Sequence, residues 1–328
     1  MTKLTHLIGI LKDKASQSKA ALLSKRTTLS LLRATSHDSF TPPTFRHLST
    51  LLSSGNGSRA TASTAVEVLM DRLQGTNNAA VALKCLIAVH HIIHHGSFIL
   101  QDQLSVYPNT GGRNYLNLSN FRHNTDPTMW ELSSWVRWFA QHIEQLLCTS
   151  RILGFFLGNS NSRNNREERV SGLTNADLLT EFDSLVSLVE GICKRPNPAC
   201  NNGNRLVDEI VSLARGDWDV IGIEVCVRVS EFRERLGGFK FGEAVELVCC
   251  LKRLEQCEEI VVMMEGSRES RLWDSAKELK EKVGMGVYRE EGKLVNESRK
   301  LRVSESDRFA ARVLSYNDFL RFPSGRLL

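Results

Sequence analysis

No run in this 328-residue chain approaches 18 consecutive apolar residues, which excludes a helix spanning a bilayer. The N-terminus has no continuous apolar segment leading to a small-residue cleavage site, which argues against secretion. None of the eight cysteines stands in a Cys-x-x-Cys pair, so neither a zinc knuckle nor a thioredoxin-type motif is supported. Scattered through apolar helical patterns, they read as buried free thiols of a reducing compartment. Prolines number only seven, four of them in two close clusters, which leaves long stretches free to be helical. Strand signals are equally scarce, with almost no period-two alternation and no Asn-Gly or Asp-Gly hairpin between β-branched runs. No fixed-period repeat is visible.

What is present is helical periodicity. Leu4, Leu7, Ile8 and Leu11 fall on one face of a short helix over 3–14, with Lys3, His6, Lys12 and Lys14 on its flanks. A second helix is expected over about 16–33. A third, over about 44–53, is opened by Pro42 and Pro43, with Thr41 as its cap. Further helices are expected at about 61–73, 78–95 and 129–148, with a short one around Phe98–Leu104. Behind the polar run 159–169, which reads as a linker, they continue at 174–191, 204–215, 217–236 and 242–265. The expected architecture is all-α, a solenoid or bundle of helices paired by short loops. It comprises a front half at about 1–158, a back half at about 170–265, and a charged, partly helical C-terminal extension over 266–328.

The formal net charge of +5 is unevenly spread. Residues 1–55 carry eight basic groups against Asp13 and Asp38, a balance of +6, while the other 273 residues, with 34 basic and 35 acidic groups, come to −1. Between Arg33 and the pair Arg46-His47 lie His37 and the Pro42-Pro43 helix start. Unpaired N–H groups at a helix start, with cations around them, make a site for a polyanionic phosphate. The plain alternative is a solvated basic face. The 3–14 helix, an apolar stripe bordered by cations, suits an anionic membrane surface; its alternative is a terminal helix docked on the body of the domain.

Other features carry less. His90, His91, His94 and His95 have the i, i+4 spacing of metal ligands, but no acidic residue stands near them in the chain and His-Glu-x-x-His is absent. They read as packed helical histidines, and no metal is expected. Gly111-Gly112-Arg113 lacks the rest of a phosphate loop. Trp130, Trp135, Trp138 and Phe139 recur at helical spacing and read as core. No Ser-His-Asp or Cys-His arrangement with interpretable context and no paired-carboxylate signature argues for an enzyme, and no cofactor is expected.

The run from Ala82-Leu83-Lys84 through His90-His91 and Gly96-Ser97-Phe98-Ile99-Leu100-Gln101-Asp102-Gln103-Leu104 into Tyr107-Pro108, then Asn114-Tyr115-Leu116 and Leu118-Ser119-Asn120-Phe121-Arg122, resembles the ANTH domain. The wording is closest to plant clathrin-assembly proteins of the PICALM type. The likeness is strong over 78–150, recognisable over 1–55, and reduced to helix pattern over 170–265. It implies a superhelical α-solenoid that binds phosphatidylinositol 4,5-bisphosphate on cytosolic membrane surfaces and links it to clathrin assembly in endocytosis. The implied locations are clathrin-coated pits and vesicles, the plasma membrane and the Golgi.

The family's headgroup motif is Lys, nine or ten residues, then Lys-x-Lys/Arg-His/Tyr. Here Arg33 takes the first position, Arg46 the third and His47 the last, while Thr44 replaces the second cation. The resemblance thus implies phosphate contacts from Lys12, Lys14, Arg33, His37, Arg46 and His47, with Leu4, Leu7, Ile8 and Leu11 entering the lipid. A vesicle SNARE is a further implied partner, and nucleic acid is not. The Asn-Pro-Phe and Asp-Pro-Phe coat peptides of longer family members are absent. Asp177-Leu178-Leu179 spells a clathrin-type tripeptide inside an expected helix, with both leucines in the core. The competing expectations are a helical scaffold that has lost lipid binding, and a nucleic-acid binder using the same basic segment.

Overall fold

The computed structural model describes residues 2–22, 26–37, 40–108, 114–123, 127–158, 166–197, 203–265 and 271–286, with backbone only at 2–6, 22, 127, 128 and 265. In order come α1 (Thr2–Leu22), α2 (Arg26–Ala34), α3 (Phe45–Leu52), a 3-10 turn at Ser53–Asn56, α4 (Arg59–Gly75), α5 (Ala79–His95) and α6 (Phe98–Ser105). There follow α7 (Pro127–Leu153), α8 (Arg166–Ser171), α9 (Asn175–Cys193), α10 (Arg205–Glu234), α11 (Phe241–Gln256), α12 (Glu258–Glu265) and a last helix, α13, over 271–286. No strand occurs among the described residues. The fold is an all-α solenoid.

Its centre is α5. This helix is apolar nearly all round and buried from Ala79 to His90, with Ile92 and Ile93 also buried, as a helix with no polar face must be. Helices α3, α4, α6, α7 and α10 pack on it. Beyond it α7 leads to α9, and α9 carries α10 and α11. Trp135 and Phe139 are fully buried and Trp138 nearly so, its indole N–H donating to the Gly191 carbonyl at 2.8 Å; Trp130 alone of the aromatic stripe is exposed. Each fully buried side chain of this size contributes about 1.5–3 kcal/mol.

Helix starts follow local chemistry. Ser58, Asn78, Thr174 and Asn204 each accept a backbone N–H from the first turn of the helix they precede, namely those of Thr61, Val81, Asp177 and Leu206. At α3 the expected cap, Thr41, gives way to Thr44, whose carbonyl takes the first intrahelical bond from Leu48 at 3.2 Å. Pro42 and Pro43 lie ahead of the helix rather than in its first turn.

Several expected boundaries shift. The helices read as 3–14 and 16–33 do not part near residue 15: α1 runs on to Leu22 and α2 begins at Arg26. The helices read as 204–215 and 217–236 are one 30-residue helix that runs through Gly216. A mid-helix glycine costs about 1 kcal/mol, and the buried row Ile210, Ala214, Trp218 and Ile221 outweighs it. The stretch 242–265 instead divides at Cys257, where α11 ends. The end of the polar run read as a linker is built into the fold. Arg166 Nε lies 2.6 Å from Glu224, and Arg169 reaches Glu181 at 3.1 Å. Both carboxylates also hold the fully buried Arg228, so α8, α9 and α10 share one ion cluster.

Candidate functional site: the α2–α3 corner and the histidine face of α5

The turn after α2 is pinned from three sides. Asp13, buried on α1, accepts the backbone N–H of His37 at 2.7 Å, the His37 ring Nδ1 at 2.7 Å and Arg72 Nη2 at 2.7 Å. Arg72 also donates to the Thr35 hydroxyl and carbonyl at 2.9 and 2.8 Å, and Lys84 to the Ser36 carbonyl at 3.0 Å. Burial pushes the Asp13 carboxyl up, but the hydrogen bonds from His37 and Arg72 together hold it below the usual carboxylate range. Gly9 completes the joint: a Cβ there would stand 2.7 Å from the His37 ring.

This joint holds Arg33, exposed at the end of α2, near the first turn of α3, which carries exposed Arg46 and half-buried His47. Ser30 ties the two helices by donating to the His47 carbonyl at 3.1 Å. Burial, then the charges of Arg33 and Arg46, lower the His47 pKa, so the three expected motif residues share one electrostatic neighbourhood. Thr44 contributes no charge; its hydroxyl lies 2.9 Å from His47 Nδ1. On the other side of Thr44, a recess of about 630 Å³ is lined by Thr41, Pro42, Arg205, Asp208 and Glu209.

The remaining expected residues divide. Lys12 and Lys14 are exposed on either side of buried Asp13. His37 has its Nδ1 committed to Asp13 and acts as part of the joint. On α1, Gly9 and Asp13 face the body while Leu7, Ile8 and Leu11 are exposed; the helix is docked and still presents its apolar stripe outward. The Leu4 side chain and Gly111-Gly112-Arg113 lie outside the described residues. Leu178 and Leu179 are buried in α9, so both leucines of the clathrin-type tripeptide are core, while Asp177 is exposed. One residue escaped the sequence reading: Phe45, 81% exposed, stands beside Arg46 at the start of α3. The only sequence signal was an aromatic residue at the open position of the cation motif.

The second polar assembly lies at the histidine face of α5. The chain neighbourhood of these histidines holds no acid, but α10 brings one: Asp217, 1% exposed, lies 2.9 Å from His90 Nε2 and 2.7 Å from His94 Nε2 through Oδ1. Its other oxygen is 2.6 Å from His142 Nε2 of α7. The expectation that the histidines lack an acidic partner is thus corrected. Asp217 and His90 are 127 residues apart, beyond the reach of any local pattern. Burial raises the Asp217 pKa, but the imidazoles of His90, His142 and His94 overcome it and hold the carboxyl well below its ordinary value. His91 and His95 sit on the outer side, and burial followed by the neighbouring histidines pushes His91 down to about 4.

A stacked-helix scaffold with a cationic corner and no helix among the described residues long and apolar enough to cross a membrane has the features of a helical binding module. The chain belongs to the ANTH domain family, whose pattern matches residues 27–209. It is 48% identical to the Arabidopsis thaliana protein named "Putative clathrin assembly protein At4g40080", over 99% of this chain and 94% of that protein. It is also 35% identical to "Putative clathrin assembly protein At5g10410", over 71% of this chain and 69% of the relative. With "Putative clathrin assembly protein At5g65370" it shares 30% identity, over 79% and 91%. Both are from the same plant.

Proposed function

We propose that this protein is a peripheral membrane adaptor for clathrin assembly that docks by holding the headgroup of a polyphosphorylated inositol lipid, phosphatidylinositol 4,5-bisphosphate, at the α2–α3 corner. The observation that carries the reading is the mutual approach of Arg33, Arg46 and His47 beside the N-terminus of α3. Its role is binding, not catalysis.

Two apolar elements complete the membrane face: the outward Leu7, Ile8 and Leu11 of α1, and Phe45. Lys12 and Lys14 supply further cations, each worth about 1 kcal/mol near an anionic surface. Coat assembly is supported by the names of the relatives; the burial of Leu178 and Leu179 leaves any clathrin contact to another segment. Coated pits and the inner surface of the plasma membrane, or the Golgi, are the matching locations, and a vesicle SNARE helix is a further partner of this reading.

A scaffold with weak lipid binding is the second reading, favoured by Thr44 at a cation position and by Asp208 and Glu209 across the recess. Co-sedimentation of the full chain with vesicles separates the two. Binding that depends on the bisphosphate lipid and fails in the Arg33→Ala/Arg46→Ala double variant supports the headgroup site. Equal binding to neutral and phosphoinositide vesicles supports the scaffold.

A further inference from the structure

The carboxylate of Asp217 is almost fully buried where α5, α7 and α10 meet, and among the described residues the side chains that pair with it are all imidazoles. Neither Lys nor Arg forms an ion pair with it among them, in contrast to Glu181 and Glu224, which hold Arg228 a few turns along α10. A buried carboxylate is normally paired with a cation or bound to a metal. Here the three imidazoles are its contacts, at 2.9, 2.7 and 2.6 Å.

The two oxygens face different surroundings. His94 directs Nε2 at Oδ1, and His90, four residues earlier on α5, sets Nε2 2.9 Å from Oδ1 and 3.0 Å from Oδ2; the three ligand-type atoms lie within 4.8 Å of one another. His94 Nε2 is buried and only 2.7 Å from Oδ1, yet it is not aligned to donate a hydrogen bond to it. A ring nitrogen and a carboxylate oxygen brought this close are placed to become two ligands of one ion. Oδ2, meanwhile, is held by His142 at 2.6 Å, which fixes the carboxylate plane as an outer-shell partner would.

We propose that His90 Nε2, His94 Nε2 and Asp217 Oδ1 bind one divalent transition-metal ion of the zinc class, with His142 positioning the carboxylate. Two imidazoles and a carboxylate suit zinc, cobalt or nickel and not calcium or magnesium, which take oxygen ligands. The ion leaves one tetrahedral position for water. Zinc–nitrogen bonds of about 2.0–2.1 Å set tetrahedral ligands about 3.3 Å apart, so the present contacts open by about half an ångström on loading. His94, the least buried of the three, lies on the approach side. There Gly158, at φ +93°, lets the chain pass where a Cβ would come within 2.7 Å of the His94 ring. His90 Nδ1 has no partner, so affinity falls about 10–100-fold short of a site with a complete outer shell. The ion would join the front helices to α10 and thus stiffen the solenoid at its centre.

The test uses the full chain, stripped with a chelator and dialysed, then titrated with Co²⁺ and with Zn²⁺. Expected are one equivalent bound, a visible ligand-field band with cobalt, and a rise in thermal midpoint with zinc that a chelator reverses. His94→Ala abolishes the band; His142→Gln retains it with weaker affinity; His91→Ala and His95→Ala, on the outer face, leave it intact. Circular dichroism establishes that each variant is folded, and Asp217→Asn provides a second ligand variant should His94→Ala fail to fold. Absence of stoichiometric binding by the wild type overturns the site. So does a band that survives His94→Ala or Asp217→Asn, or one lost equally on removing His91 or His95.

Discussion

Asp13 and His37 are joined twice, the carboxylate oxygen Oδ2 accepting the His37 backbone N–H at 2.7 Å and lying 2.7 Å from its ring Nδ1. That double contact, with Arg72 on the other oxygen, fastens the first helix to the turn that presents the cationic corner. Removing the carboxylate leaves the Arg72 guanidinium largely buried with only its bonds to Thr35, and breaking a buried pair from one side costs about 3–5 kcal/mol. Asp13→Ala is expected to lose stability toward the lower end of that range, read by urea unfolding. It should also weaken vesicle binding by releasing the 35–37 turn.

The same carboxylate makes a pH prediction. Its folded pKa lies below the ordinary 3.8, so its contribution is present above that value and fades as pH falls toward the lower folded pKa. The stability gap between wild type and Asp13→Asn is therefore expected to be full at pH 7 and to shrink below pH 3.8. A gap unchanged down to the acid transition would contradict the assignment.

Thr44 makes no side-chain cap bond to the α3 backbone, so replacing it sacrifices no helix cap hydrogen bond. Thr44→Lys restores the missing cation and is expected to strengthen binding to bisphosphate vesicles by about 1 kcal/mol, roughly fivefold. Asp208 and Glu209 line the adjoining recess and draw part of the new charge away. Thr44→Lys/Asp208→Asn should accordingly bind more tightly than Thr44→Lys alone, as measured by co-sedimentation.

His47 is neutral at pH 7, because burial and then Arg33 and Arg46 hold its pKa below 6.5. A bound polyphosphate raises that pKa, so binding takes up a proton and tightens as pH falls from 7.5 to 6. Titrating soluble inositol polyphosphate across that range should show the trend in the wild type, and a flatter profile in His47→Gln.

Phe45 offers a test of bilayer contact apart from headgroup binding. Burying a phenylalanine contributes about 1.5–3 kcal/mol, and the 81%-exposed ring has no protein surface to cover it. Phe45→Ser should lower vesicle affinity by about tenfold or more and leave soluble inositol polyphosphate binding unchanged. An equal loss in both assays would place the ring in the headgroup site instead.

The all-α architecture was legible from little more than the spacing of leucines and valines and the positions of Ser58, Asn78, Thr174 and Asn204. Both signals are local, and helices are built from local contacts. Boundaries were less legible where packing overrode a local preference: Gly216 marked a break that the buried row of α10 closed, and at α3 the cap expected at Thr41 fell to Thr44. The ion pairs of Arg166 and Arg169, at the end of the polar run read as a linker, were not legible because a charged residue looks solvated until a carboxylate from another helix arrives.

By itself the sequence determined where charge and apolar stripes lie: a basic first sixth, an amphipathic first helix, and a cation motif interrupted at Thr44. Composition and periodicity are properties of neighbours in the chain, so they survive without coordinates. Only the tertiary structure decided which of those residues act together. It spent His37 on Asp13, set Arg33 against Arg46 and His47, and turned Phe45 outward. It also carried Asp217 across 127 residues to His90. Such pairings depend on how whole helices stack, and a buried polar group finds its partner wherever the packing delivers one.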